Sequence, residues 1–518
     1  MIRLSSRLST DSQQVSTLQA RRIGIDTYQE PVVYMRADCP VCRSEGFESQ
    51  SRLQLTGNDR SFVATLNIVH GDDLLEHGEA GLSEAAWKLL GVTDASEIRV
   101  SHAEPTESFH HVRAKLFGHT LAPEAFSGIV NDIARRRYSD VQLSAFLAAC
   151  VGDRMASDEI VALTRAMVAA GGRLDWSQPA VFDKHCVGGL PGNRTTPIVV
   201  AIVTACGAVM PKTSSRAITS PAGTADTMET LTRVDLSLTS MRRVVEQEGG
   251  CLVWGGAVDL SPADDVLIRI ERALDVDSEA QLVASILSKK IAAGSTHTLI
   301  DIPTGPTAKV RDEATAERLA SVLKRTGTEL GLEVDIVLTD GRQPVGRGIG
   351  PALEARDVLA VLQDDPEAPD DLRDRSVLLA GKILERSGRA HAGDGTRLAS
   401  AVLNDGRAWR KFQAICHAQG GLRTPPVAEH RHVVVADRAG SVTAIDNRRL
   451  AKVAKLAGAP TAPAAGVELH VHLDDHVEAD APVMTVHAEA PGELAYALNY
   501  LDQNTNLMRI GADDEVRA

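Results

Sequence analysis

The sequence predicts an α/β protein: a helical domain and a large, mainly parallel α/β domain, with an N-terminal β-rich module and a C-terminal α+β module. Three observations support this prediction. Short alternating runs fill about the first 100 residues, helical stripes follow them, and apolar strands then alternate with helices. We place the four parts at residues 1–100, 105–178 with part of about 262–293, 180–420 and 425–518.

The first two parts differ in the spacing of their apolar residues. Residues 62–69 alternate apolar and polar side chains, which is the period of a half-buried strand, so residues 1–100 are predicted to form a barrel-like module. In residues 123–170 the apolar side chains recur at helical spacing, and Gly171 and Gly172 end the last predicted helix. The chain therefore changes from strands to helices after the first module.

Strands and helices alternate in the third part. Residues 298–302 and 334–338 are predicted strands, and each is followed by a predicted helix, at about 312–330 and at about 351–362. Such alternation is typical of a parallel sheet with both faces covered. After residue 425 the pattern becomes β-rich again, which predicts the C-terminal α+β module.

The composition restricts the partners and the compartment. A formal net charge of -14 opposes binding to the phosphate backbone of nucleic acids. The 7 scattered cysteines are typical of reduced thiols, and the sequence shows neither a signal-peptide pattern nor an apolar run near the roughly 18 residues of a membrane span. We expect a cytoplasmic protein without nucleic-acid or membrane partners. Cys39 and Cys42 lack a second pair of ligands at zinc spacing, and we expect no metal.

The run from Asp183 to Thr196 is the most informative stretch of the chain. Its glycines allow tight turns that direct backbone N–H groups toward one point, and the apolar helix predicted from Ile198 adds partial positive charge. Lys184 adds a full positive charge, and His185 adds a proton that titrates near neutral pH. These features predict a site for a phosphorylated or phosphate-consuming substrate.

A second polar stretch, residues 211–226, carries six hydroxyl side chains and one arginine. Hydroxyls donate to phosphate oxygens, and an arginine can pair with them through two parallel bonds. The same residues could instead form a solvated turn that caps the next helix, which is predicted to start at Thr224. Because the Lys184 loop lies one apolar helix upstream, we favour an anion site.

Two further positions could complete a ligand site. Ser285 and Lys289 are four residues apart and share one helix face, where a hydroxyl and an ammonium could bind the carbonyls of a heterocycle. The alternative is an ordinary helix with an exposed lysine. Lys309 follows a predicted strand in a Gly/Pro turn, and the ligands of parallel sheets bind beyond the carboxyl ends of strands. A second anion contact is therefore plausible at Lys309.

Three motifs resemble those of the thymidine and pyrimidine-nucleoside phosphorylases. The resemblance spans roughly residues 105–515 and is closest to a long-chain branch that contains AMP phosphorylases and bacterial proteins called thymidine phosphorylases; the N-terminal module fits that branch. The motifs are Asp183-Lys184-His185-x-x-Gly188-Gly189, the loop ending Ala222-Gly223-Thr224-x-Asp226, and Ala284-Ser285-Ile286-Leu287-x-Lys289-Lys290.

The resemblance implies an activity and a set of partners. It implies a pentosyltransferase that cleaves thymidine with phosphate, reversibly, to thymine and 2-deoxyribose 1-phosphate. AMP is the rival substrate and would give adenine and ribose 1,5-bisphosphate. A non-catalytic nucleotide-binding sensor is the remaining alternative. The family implies two domains that close over the substrate, a homodimer or higher homo-oligomer, and no cofactor besides phosphate as co-substrate.

The resemblance also implies roles for individual residues. Two residues compete as the acid that protonates the departing base, His185 and Asp277, and Asp277 would need burial or a neighbouring carboxylate to hold its proton near neutral pH. Cys186 replaces a serine that contacts phosphate in the family. The residues implied to bind phosphate are Lys184, Thr196, Ser214, Ser215 and Thr224. Those implied to bind the nucleoside or nucleotide are Gly189, Arg216, Ala217, Ile218, Thr219, Ser220, Ser285, Lys289 and Lys309.

Overall fold

The computed structural model describes residues 17–217, 220–258, 260–274 and 278–511. They form two compact units that divide between Ala149 and Cys150. The strands of the first unit are β1 (Thr17–Arg22), β2 (Val32–Arg36), β3 (Arg52–Gly57), β4 (Arg60–Val69), β5 (Glu79–Leu82) and β6 (Glu97–His102). Its helices are α1 (Pro40–Glu45), α2 (Glu84–Leu90), α3 (Phe109–Leu116), α4 (Pro123–Ala134) and α5 (Asp140–Ala149).

The six strands of the first unit close into a barrel in the order β1-β5-β2-β4-β3-β6. Alternate residues such as Leu53 and Leu55 point into its core because side chains alternate between the two faces of a strand. The predicted β-rich, barrel-like module is confirmed. Cys39 and Cys42 are buried thiols of the same core.

The second unit has more elements. Its strands are β7 (Phe182–Cys186), β8 (Met210–Ser214), β9 (Gly250–Trp254), β10 (His297–Thr304), β11 (Glu333–Asp340), β12 (Gly348–Ile349), β13 (His430–Val435), β14 (Gly440–Ile445), β15 (Gly466–Leu469), β16 (His476–Val477), β17 (Pro482–Ala488) and β18 (Met508–Gly511). Its helices are α6 (Ser157–Ala170), α7 (Thr195–Ala205), α8 (Thr224–Glu229), α9 (Leu238–Glu248), α10 (Pro262–Leu274), α11 (Glu279–Ala292), α12 (Glu313–Glu329), α13 (Pro351–Leu362), α14 (Asp370–Arg386), α15 (Gly395–Asn404), α16 (Arg407–Gln419), α17 (Asn447–Leu456) and α18 (Pro491–Gln503).

Two parallel sheets form the centre of the second unit. One has the order β11-β10-β7, the other consists of β8 and β9, and Phe182 N donates to the Val209 carbonyl between them. Helix α7 is buried on all sides, with residues 198–203 fully buried, which explains its uninterrupted apolar sequence. The mainly parallel α/β prediction is confirmed, and α12 and α13 lie where helices were predicted.

The C-terminal part combines strands and helices as predicted. Strands β12, β15, β17 and β13 form one antiparallel sheet, β16, β14 and β18 form another, and α17 and α18 share their apolar core. Of the predicted helical domain, α3 to α5 belong to the first unit, and α6 belongs to the second, where it contacts α10 and α11. The boundaries of that domain stay a prediction. None of the described helices has the length and apolarity that crossing a bilayer requires.

Candidate active site

Strand β7 directs the residues of the first motif to opposite faces of its sheet. Because side chains alternate along a strand, Asp183 and His185 lie on one face, and Lys184 and Cys186 lie on the other. Cys186 is paired with Asp301 of β10 in the parallel register. The motif therefore contributes to two separate polar clusters, one on each face of the strand.

Lys184 is fully buried and reaches the start of α7. Its Nζ donates to Thr195 Oγ1 over 2.6 Å, and burial lowers the pKa of its ammonium. Sequence reasoning assigned the next residue, Thr196, which is also buried, and it missed Thr195. A lysine only donates, so the Thr195 hydroxyl must accept here and keeps its own hydrogen for another acceptor, such as an anion.

A buried ion triad lies on the opposite face of β7. Asp183 Oδ1 lies 3.0 Å from Lys212 Nζ of β8, and Asp183 Oδ2 lies 2.8 Å from Lys290 Nζ of α11. Burial opposes ionisation of Asp183, but the two ammonium groups outweigh it and lower the pKa of this carboxyl. The triad joins the elements that carry the three sequence motifs, and sequence reasoning missed it.

His185 is half-buried beside these lysines. Burial, followed by the charges of Lys290 and Lys212, holds the pKa of its imidazole well below 6.5. His185 is therefore neutral in the free protein at neutral pH. A neutral imidazole can donate one hydrogen bond, but it lacks the extra proton of a strong general acid.

Cys186 remains a neutral thiol. Its Sγ accepts a hydrogen bond from Asn193 Nδ2 over 3.3 Å. Burial and then the Asp301 carboxylate raise the pKa of the thiol to about 12. Residues 187–194, between β7 and α7, are called the phosphate loop below because the sequence predicts a phosphate site there. Cys186 contributes neither a negative charge nor a thiolate nucleophile to this loop.

The hydroxyl-rich loop begins where β8 ends. Ser214 Oγ is buried and has no hydrogen-bond partner among the described residues. Downstream, one carboxylate oxygen of Asp226 accepts from Ala217 N at 2.6 Å and from Gly223 N at 2.8 Å, which folds the loop back on itself. The Ser215 carbonyl accepts from Ala225 N. The loop thus leaves a buried hydroxyl available to a ligand.

Arg216 is engaged by protein carboxylates. Its guanidinium pairs with Glu229 and with Asp226, and it stacks over the Trp254 ring at 4.8 Å. The hydrogen bond to Glu229 raises the pKa of Arg216 further. Nearby, Ser220 Oγ donates to the Ala222 carbonyl. The predicted substrate contacts Ile218 and Thr219, and the predicted acid Asp277, lie outside the described residues.

Thr224 begins α8 and is bound by an arginine that sequence reasoning missed. Arg194, which precedes α7, donates through Nη1 to Thr224 Oγ1 over 2.8 Å and through Nη2 to the Ala222 carbonyl over 2.9 Å. Its Nε donates to Glu354 Oε2 of α13 over 2.7 Å. The only sequence signal for Arg194 was its position between the glycine loop and the apolar helix.

The remaining predicted contacts lie on α11 and after β10. Ser285 is half-buried, and Lys289 Nζ lies 2.6 Å from Asp264 Oδ2 of α10. Lys309 lies against the phosphate loop: a Cβ added at Gly189, where φ is +80°, would be 2.2 Å from Lys309 N. The structure therefore brings Lys309 to the loop that carries Lys184.

The arrangement favours an oxyanion as ligand. Buried cations and hydroxyl donors surround two helix starts, and these are the groups that bind phosphate oxygens. Among the described residues, no three histidine, cysteine, aspartate or glutamate side chains are grouped to hold a metal ion.

Comparison with known proteins agrees with this chemistry. Residues 110–171 match the "Glycosyl transferase family, helical bundle domain", residues 178–409 match the "Glycosyl transferase family, a/b domain", and residues 441–508 match the "Pyrimidine nucleoside phosphorylase C-terminal domain". The anthranilate phosphoribosyltransferase structure from Thermus thermophilus shares the fold, with a TM-score of 0.50 and 19% identity over 60% of this chain and 98% of that one.

Relatives at high identity cover nearly the whole chain. A "Putative thymidine phosphorylase" of Polaromonas sp. is 62% identical over 96% of this chain and 97% of its own length. "Putative thymidine phosphorylase 2" of Acidovorax sp. is 62% identical over 95% of this chain and 96% of its own. A Legionella pneumophila relative of the same description is 57% identical over 95% of both chains. The chain therefore belongs to the thymidine and pyrimidine-nucleoside phosphorylase family and is a pentosyltransferase.

Proposed function

We propose that this enzyme catalyses the reversible phosphorolysis of thymidine to thymine and 2-deoxyribose 1-phosphate, with phosphate as co-substrate and no other cofactor. The observation that carries the proposal is the buried Lys184 ammonium held on the Thr195 hydroxyl at the start of α7. The names of the relatives support thymidine as the nucleoside. We also propose a cytoplasmic location and a homodimer or higher homo-oligomer, whose mass light scattering of the purified protein would measure.

The phosphate side of the reaction uses fixed donors. Phosphate attacks C1′ of the sugar while the bond to the base breaks, so positive charge develops on the sugar and negative charge on the base. Lys184, the hydroxyls of Thr195 and Thr224, and the Ser214 hydroxyl, which has no hydrogen-bond partner within the described ranges, hold the attacking oxyanion beside that carbon. Donors that are oriented before the reaction need no reorganisation when charge moves.

The base side must stabilise the departing anion. Ser285 and Lys289 bind the base carbonyls, and the Asp264 carboxylate fixes the Lys289 ammonium. Neutral His185 donates its N–H to the base rather than acting as a charged acid, because burial and lysine charges keep its pKa low. Full proton transfer then falls to Asp277, and an Asp277→Asn variant that keeps full activity would refute that part.

AMP is the second candidate substrate, and one observation favours it. Lys309 lies against Gly189 in the phosphate loop, where a second cation could meet a 5′-phosphate. Arg216, in contrast, is already engaged with Glu229 and Asp226, so it contributes less to a second phosphate than the sequence suggests.

One experiment separates the candidates. Purified enzyme is incubated with phosphate and either thymidine or AMP, and the released thymine or adenine is measured by chromatography. We expect thymine release and little adenine release. Adenine release alone, lost in Lys309→Met, would assign AMP. Binding of either compound without turnover would support the nucleotide-sensor alternative instead.

A further inference from the structure

The geometry assigns Arg194 as a positioning residue that turns the Thr224 hydroxyl into a hydrogen-bond donor for the attacking phosphate. This assignment rests on the proposed function. Arg194 does not itself contact the reacting atoms. It acts through the hydroxyl that it holds, and nothing in the three sequence motifs marks it.

The direction of the hydrogen bond follows from the chemistry of the two groups. A guanidinium has no acceptor atom, so in the 2.8 Å contact between Arg194 Nη1 and Thr224 Oγ1 the threonine oxygen accepts. The Thr224 hydrogen must then point away from Arg194. Thr224 is half-buried at the first position of α8, directly after the hydroxyl-rich loop. Its hydroxyl hydrogen can therefore be donated to a ligand that binds beside this loop.

The other two contacts fix Arg194 in this role. Its Nε is bound by Glu354 and its Nη2 by the Ala222 carbonyl, so the guanidinium cannot rotate away from Thr224. The side chain of Arg194 is 12% exposed and that of Glu354 is 1% exposed. Glu354 also accepts from Thr227 Oγ1 over 2.8 Å, one turn further along α8.

The charge pairing explains why Arg194 orients a donor rather than binding phosphate itself. The positive charge of Arg194 is matched by the Glu354 carboxylate at 2.7 Å, and three of its five N–H groups donate to protein atoms. In this assignment Lys184 is the cation that binds phosphate at this loop, and Arg194 orients the Thr224 hydroxyl. A change at Arg194 should therefore alter phosphate affinity while leaving nucleoside affinity unchanged.

A double-mutant cycle between Arg194→Met and Thr224→Val tests the assignment. The KM for phosphate in phosphorolysis and the Kd for inorganic phosphate by calorimetry are measured for each variant. We expect each single variant to weaken phosphate binding by about tenfold to 10²-fold, the range of a lost hydrogen bond to a charged group. The double variant should be no weaker than Thr224→Val alone, and the nucleoside KM should stay within about twofold of wild type.

The controls separate positioning from general damage. Arg389→Met removes an arginine that donates to the Gly207 carbonyl away from the loop, and it should leave both constants unchanged. Arg194→Lys keeps the charge, should recover part of the phosphate affinity, and replaces Arg194→Met in the cycle if that variant does not fold. Additive losses in the cycle, or unchanged phosphate affinity in folded Arg194→Met, would overturn the assignment.

The same measurements distinguish failure of the inference from failure of the proposed function. Wild-type protein that binds phosphate but releases no base from any nucleoside refutes the proposed function, and the calorimetric cycle still decides the role of Arg194. If the wild-type enzyme is active and the Arg194→Met variant binds phosphate with unchanged affinity, only the inference is refuted. Wild-type protein that binds no phosphate refutes both.

Discussion

Lys184 Nζ and Thr195 Oγ1 lie 2.6 Å apart in a fully buried contact that joins strand β7 to the first turn of α7. The contact places a cation and a hydroxyl at the amino end of an eleven-residue helix, where the first backbone N–H groups have no partner within the helix and the Arg194 side chain does not cap them. One charge, one hydroxyl and one helix start therefore converge on a single point. We propose that the attacking phosphate binds at this point.

Replacement of Lys184 by methionine should abolish most of the phosphorolysis. The variant removes the buried cation that we propose binds the attacking phosphate, and we expect kcat/KM to fall by about 10² to 10³-fold, the effect of removing a fixed donor to a developing charge. The assay is thymine release at several phosphate concentrations. The control is Lys382→Met, since that lysine is half-exposed on α14 and its ion pair is with Glu385 on the same helix. Retention of a tenth of the activity in Lys184→Met would contradict the prediction.

The Asp183 triad should matter for stability more than any exposed ion pair. Asp183→Asn leaves the buried Lys212 and Lys290 facing each other without a carboxylate, and we expect a loss of about 3–5 kcal/mol in the free energy of unfolding at pH 7. Urea denaturation measures the loss. The control Asp437→Asn breaks an exposed pair with Arg438 and should change stability by less than about 0.5 kcal/mol.

The pH dependence of the same variant has a definite sign. The pKa of Asp183 is lower in the folded chain than in the unfolded chain, so the unfolded state takes up this proton first as the pH falls. The stabilisation is complete above the unfolded pKa of about 3.9 and is lost as the pH drops through the folded pKa. The stability difference between wild type and Asp183→Asn should therefore shrink as the pH falls below about 4. Burial lowers the pKa of the neighbouring Lys290 to about 7, so the two proteins are compared below pH 5, where Lys290 of the wild type carries its proton. A difference that stays constant down to pH 2 would contradict the assignment.

His185 should make the folded protein sensitive to mild acid. The pKa of His185 in the folded chain lies well below 6.5. Below pH 6.5, His185 therefore binds a proton in the unfolded chain but not in the folded chain. Stability should fall as the pH falls from 6.5, and His185→Gln should remove part of that slope. Urea denaturation between pH 5 and pH 8 measures it, and the exposed His391→Gln is the control. Equal slopes in wild type and His185→Gln would refute the low pKa.

The sequence predicts the elements of this fold better than their contacts. The strand-helix alternation from residue 298 to residue 362 is recovered because each element carries its own periodicity and turn residues. The sequence also predicts that Lys184 lies beside a glycine loop and a helix start, because the three are adjacent in the chain, whereas phosphate binding by that loop stays a prediction. Such local signals need no knowledge of which strands are neighbours.

Apart from Thr195, the missed residues depend on contacts between segments that are distant in the chain. Lys212 and Lys290 look like ordinary lysines until β8 and α11 are placed against β7, and only then do both meet Asp183. The pairing of Arg216 with Glu229, the last residue of α8, was likewise not predicted, and the substrate contact of Arg216 stays a prediction. Periodicity and motif spacing do not predict these ion pairs, because the order of the strands in the sheet and the closure of the loops determine which residues meet.

Gly189 offers a test with an internal control at the adjacent glycine. Gly188 and Gly189 both have positive φ, +96° and +80°, but a Cβ at Gly188 would meet no atom within 4 Å, whereas at Gly189 it would be 2.2 Å from Lys309 N. Gly188→Ala should therefore lose about 1–3 kcal/mol from backbone strain alone.

Gly189→Ala should lose more than Gly188→Ala, and it should also lower kcat/KM by about 10²-fold because Lys309 and the loop must move apart by close to an ångström. Urea denaturation and thymine release below both unfolding transitions provide the two readouts. If the two alanine variants lost equal stability and equal activity, the contact between Gly189 and Lys309 would have no part in shaping the site. A larger loss confined to Gly189→Ala ties the geometry of the phosphate loop to the segment that follows β10.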